Sequence, residues 1–104
     1  MSAAANPLRG EAALELAGRS HRLRPSFENL VAAETELGSL FALVERASEG
    51  LLTLTEIAAL LWHCLDEAER PAREAVGEAV LAMGLLAAIR PVRVVLAQVL
   101  QGRA

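Results

Sequence analysis

Residues 10–50, GEAALELAGRSHRLRPSFENLVAAETELGSLFALVERASEG, decide the fold, because they hold one strand pair and two helices, each helix with its own start and stop signals. Ala12, Leu14 and Leu16 share one side of an extended segment, while Ala13 and Glu15 take the other. Gly18 supplies a permissive turn, beyond which His21 and Leu23 alternate with Ser20, Arg22 and Arg24. The spacing predicts a β-hairpin over 9–24. A two-stranded hairpin is marginal in water, so it must lie on the helices.

Pro25 disfavours helical geometry at Arg24 and suits a chain leaving a strand. Ser26 is a candidate N-cap, and Phe27, Leu30, Val31, Glu34 and Leu37 then fall at helical spacing until Gly38 stops the pattern. Ser39 caps a second helix with a Leu40, Leu43, Val44 and Ala47 stripe and Phe41 beside it, ending at Gly50. Thr53-Leu-Thr-Glu56 has the spacing of a capping box, in which hydroxyl and carboxylate each satisfy an orphan amide. The helix it opens, about Leu54 to Ala68, is apolar over a broad arc (Ile57, Ala58, Leu60, Leu61, Cys64, Leu65), as a central helix with several neighbours would be.

After a polar break at Asp66, Glu67, Glu69 and Arg70, Pro71 suits the first position of a further helix. Its stripe runs through Val76, Val80, Met83, Leu86 and Ala87. Gly77 and Gly84 are spaced to admit a neighbouring backbone, and Pro91 should end or kink the helix. Val92 to Leu100 is expected to be a terminal helix, although its β-branched residues leave a strand through Val92–Leu96 as a competitor. Residues 1–8 form a leader without periodicity, and 9–104 form one domain: an α+β fold, with the hairpin packed on a small bundle of four to five short helices spanning 26–101.

Composition narrows the class. The chain has 104 residues, enough for one core, yet 54% are hydrophobic and only 3% aromatic. Ala and Leu must build that core, and so apolar a chain of this size should leave some of its apolar surface for a partner or a second copy. Net charge is −3 and every basic residue is Arg, a poor match for nucleic acid. The one cysteine, Cys64, excludes an intrachain disulfide and fits the reducing cytoplasm. The start of the chain lacks the basic and apolar regions of a signal peptide. The longest apolar run, Ala79 to Ile89, reaches only about half of a bilayer core, so no membrane span is expected.

No chemistry is legible. His63 and Cys64 are neighbours, but adjacent helical residues point about 100° apart and cannot both ligate one metal. Cys64 reads as a small core residue and His63 as a flanking one. Asp66, Glu67 and Glu69 read as a solvated turn, and no glycine-rich phosphate loop is present. Catalytic, cofactor-binding and metal sites are therefore all expected to be none. Trp62, the sole tryptophan, is either a core filler or an interface anchor.

The runs Asn6-Pro-Leu-Arg-Gly-Glu, Ala13-Leu-Glu-Leu-Ala-Gly-Arg and Arg22-Leu-Arg-Pro-Ser-Phe-Glu-Asn-Leu resemble small tail proteins of gene transfer agents and related long-tailed phages. Leu37-Gly-Ser-Leu, Leu43-Val-Glu-Arg and Gly50-Leu-Leu-Thr-Leu-Thr-Glu-Ile continue the likeness, which spans Asn6 to Leu61. The resemblance implies a tail-assembly-chaperone-like, non-enzymatic protein that binds tape-measure or tail-tube proteins. Beside it stand a structural subunit of the tail and a small dimeric regulator. Trp62, Met83, Leu86, Val95 and Leu96 are the expected partner contacts, and the chain itself is a candidate partner as a homo-oligomer.

Overall fold

Two strands and five helices follow one another in a computed structural model that describes residues 12–16, 18–66, 68 and 70–102. The expected leader, Ala17 of the turn, Glu67 and Glu69 of the polar break, and Arg103 lie outside the described residues. Strands β1 (Ala12–Leu16) and β2 (Arg19–Leu23) pair antiparallel, with Leu14 opposite His21 and Leu16 opposite Arg19. Leu14, Leu16 and Leu23 are buried, while Ala13, Glu15, Ser20 and Arg22 on the other face are exposed, as period-two alternation requires. Through β1 the apolar face rests on the two C-terminal helices. The fold is α+β, as the sequence predicts.

Helix α1 (Phe27–Leu37) starts where Ser26 Oγ accepts from Asn29 N, and ends at Gly38, whose φ of 89° is cheap only for glycine. Helix α2 (Leu40–Ser48) is opened by Ser39 Oγ, which accepts from Ala42 N, and by Glu34, whose carboxylate accepts from Leu40 N. At α3 (Leu54–Cys64) both halves of the capping box are made, Thr53 with Glu56 N and Glu56 with Thr53 N. Helix α3 packs against α1 and against both C-terminal helices, the central position its broad apolar arc implies.

Helix α3 ends at Cys64, short of the expected Ala68. The carbonyls of Trp62, His63 and Cys64, and that of Leu65 beyond them, are claimed. Leu65 N donates to Trp62 O, Arg24 N to Cys64 O, and the Arg70 guanidinium to His63 O and Leu65 O. Leu65 meanwhile forms a single antiparallel bridge with Leu23, so the chain leaving α3 is pulled alongside the end of β2.

The C-terminal half departs most from expectation. Helix α4 (Arg73–Met83) begins two residues beyond Pro71, and α5 (Leu85–Gln101) follows after Gly84 alone. The two helices bend by 118° at Gly84, whereas Pro91 sits inside an unbroken α5. A straight helix over 73–101 would run about 43 Å, but the longest dimension of the molecule is 34 Å. Only a corner lets Val76 and Val80 of α4 and Ala88, Val92, Val95 and Leu96 of α5 reach one core. Burying Val92, Val95 and Leu96, each worth about 1.5–3 kcal/mol, outweighs the one backbone bond that Pro91 denies. The same burial favours the helix over the competing Val92–Leu96 strand. Nor do Gly77 and Gly84 admit a neighbouring backbone, since a Cβ at either would meet nothing within 4 Å. Gly84 is required for its backbone alone, with φ of 90°.

Candidate interaction surfaces

A polar and aromatic seam joins α1, α3 and α4. Glu36, at the end of α1, receives Arg73 Nη1 at 2.5 Å and His63 Nε2 at 2.8 Å. A carboxylate only accepts, so Nε2 carries the proton in this contact. The Arg73 hydrogen bond, seconded by His63, holds the Glu36 carboxyl down at about 2, well below its usual value of 4.5. The Arg70 and Arg73 guanidinium carbons each lie 4.5 Å from the centroid of the Trp62 ring, and His63 meets that ring edge-on at 5.0 Å. Trp62 Nε1 donates to Pro71 O at 2.9 Å, fixing the chain that enters α4. His63 is thus buried and paired, not the flanking residue its sequence position implied. A second tie, between Arg46 and Glu56, fastens α2 to the start of α3, and the Glu56 carboxyl is lowered by the Thr53 amide first and by Arg46 second.

Cys64 is fully enclosed, and that burial pushes its thiol up to about 12, so it is neither a nucleophile nor a ready ligand. Among the described residues no group of three or more His, Cys, Asp or Glu side chains is placed to hold a metal ion. None of their helices taken singly is long and apolar enough to cross a membrane.

The five residues expected to make partner contacts are not brought together. Leu86, at the α4–α5 corner, is 88% exposed. Met83 and Trp62 are half-buried and pack against the core. Val95 and Leu96 are core residues and offer no surface in this fold. Side chains that fall at the helical spacing of α1, or beside the stripe of α2, face outward: Phe27 is 86% exposed and Phe41 73%, with Val31 less so at 44%. On α1 it is Ala33 that is fully buried, flanked by Leu30 and Leu37. The signal was present, because Glu34 lies seven residues beyond Phe27 and therefore on the same side of the helix. Leu81 and Leu85 extend the exposed apolar set around Leu86.

Fold and surface define a small α+β module whose distinguishing external feature is large apolar side chains displayed on helices. The chain belongs to the phage tail tube protein family of the GTA-gp10 type, whose family model matches residues 9–102. The match runs past Leu61, where the recognisable motifs stop, and includes the α4–α5 corner. No curated protein and no solved structure matches the chain.

Proposed function

We propose that this chain is a non-enzymatic tail-morphogenesis protein of a gene transfer agent or related phage, chaperone-like in action. It works in the bacterial cytoplasm, where it holds amphipathic helices of tape-measure or tail-tube proteins until they assemble. The observation that carries this is the outward display of Phe27, Phe41 and Leu86. A chain with so few aromatics places both of its phenylalanines in solvent, which is costly unless a partner covers them. Helical display suits helix-to-helix docking, in which apolar anchors give affinity and neighbouring charges give register. Leu86 leads the contact set. Met83 and Trp62 contribute only the surface they leave open, and Val95 and Leu96 would take part only if α5 moved.

A second reading, incorporation into the tail as a tube subunit, is favoured by the description of the family. Against it stands the scarcity of strands among the described residues, a single hairpin with which to pair around a ring. Quantitative mass spectrometry of purified particles separates the two. The chaperone reading expects the chain to be absent from mature particles while a co-expressed tape-measure segment stays soluble only in its company. A fixed stoichiometric copy number in the particle overturns that reading and leaves the tube subunit.

A further inference from the structure

Two helices present opposite characters to solvent. Along α5, Leu86, Arg90, Arg93, Ala97 and Leu100 recur at steps of four and three, so they form one outward stripe about 21 Å long. It is apolar and basic, since α5 contains no acidic residue. Along α2, Phe41, Glu45, Ser48 and Glu49 form an outward stripe that is aromatic and acidic, because the only base of that helix, Arg46, is turned to Glu56. Phe27, Glu28 and Val31 give exposed α1 the same character. Glu45, Glu49, Arg90 and Arg93 have no ion-pair partner among the described residues.

We infer that the occupant of the α2 face is the α5 face of a second copy of this chain. Each stripe supplies what the other lacks: Leu86 and Leu100 offer apolar cover for Phe41, and Arg90 and Arg93 offer partners for Glu45 and Glu49. The match is electrostatic as well as apolar, and it disfavours two α2 faces or two α5 faces meeting, because like charges would be juxtaposed. Because the two patches differ, one α2–α5 contact leaves a free α2 face and a free α5 face: if these meet each other they close a two-fold dimer, and if each takes a further copy they build a ring or a filament. Phe41 and Leu86 are also the anchors proposed above for tail-protein helices, so a second copy and such a helix compete for the same faces, while self-association needs no tail component to be present.

Sedimentation velocity of the purified full chain tests it, using a concentration series at low salt and at about 0.5 M NaCl. The expected result is concentration-dependent association that salt weakens by about tenfold or more. R90E/R93E and E45R/E49R, all surface changes, should each be monomeric with unchanged circular dichroism, and mixing the two should restore association. Particle mass spectrometry, the test of the tail role, is unaffected by this outcome. A chain that stays monomeric at low salt overturns the inference, as does an oligomer indifferent to both charge reversals. If the chain stays monomeric while Phe41 is covered on adding an unrelated Arg/Leu amphipathic peptide, the acidic face belongs to a foreign helix and the inference fails.

Discussion

Helices α3 and α5 are both rich in aliphatic residues, yet they use them differently. Helix α3 is enclosed by α1, α4 and α5, is opened by a capping box, and has its last carbonyls claimed by Leu65, Arg24 and Arg70. Helix α5 has no side-chain cap at its start, follows a glycine corner, and buries one side while Leu86 and Leu100 stay exposed on the other. The first spends its apolar residues on the fold; the second divides them between the fold and the outside. Hydrophobicity alone does not separate these uses. Charge placement does, since Arg90 and Arg93 mark the outward side of α5 while the apolar run of α3 is free of charge from Ile57 to Trp62.

Substitutions sharpen the contrast. The largest effect is expected at Leu61 of α3, which is fully buried. Leu61→Ala should cost about 2–5 kcal/mol in urea unfolding, and a loss below about 1 kcal/mol would show that α3 is not the centre of the core. Next comes the corner. Gly84→Ala adds a Cβ that touches nothing, so any loss comes from the backbone at φ of 90°, and about 1–3 kcal/mol is expected.

The seam is more modest. Glu36 ionises at about 2 in the folded chain, against an ordinary 4.5, so its contribution is present above pH 4.5 and is lost as the pH falls through 2. The side chain is about one-third exposed and solvent screens it, so Glu36→Gln should lower stability near neutrality by about 1 kcal/mol or less. The variant should also show a flatter acid limb over that window in pH-dependent thermal melts. An unchanged limb would remove Glu36 from the acid response. The smallest effect on folding is expected at Leu86, where Leu86→Ser should change stability by less than about 0.5 kcal/mol. The same change should weaken association measurably, so a stable variant with intact association would deny Leu86 its role as an anchor.

Local signals carried much of the architecture. Ser26, Ser39, Thr53 with Glu56, and Gly38 announce helix ends because capping is a matter of a few neighbouring atoms, and each was legible. The alternation of Leu14 and Leu16 with Ala13 and Glu15 announces the hairpin for the same reason. What escaped depends on distant partners. Nothing near His63 in sequence reveals Glu36, and nothing near Arg70 reveals that it serves the end of α3. The break at Gly84 rather than Pro91 follows from the size of the molecule, a global property that no local pattern records. The outward faces escaped because helical spacing groups Phe27, Val31 and Glu34 with Leu30 and Leu37 without saying which side of α1 meets a neighbour, although Glu34 lies on the same side as Phe27.

The setting of Trp62 has a practical consequence. The chain has no tyrosine and no other tryptophan, so its near-ultraviolet emission comes from one indole, held against two guanidinium groups and an imidazole edge. Fluorescence of the unlabelled protein therefore watches a single place, where α4 is fastened to α3. Any event that loosens that joint, whether acid, denaturant or the arrival of a partner, should register there as a change in colour and brightness without a dye.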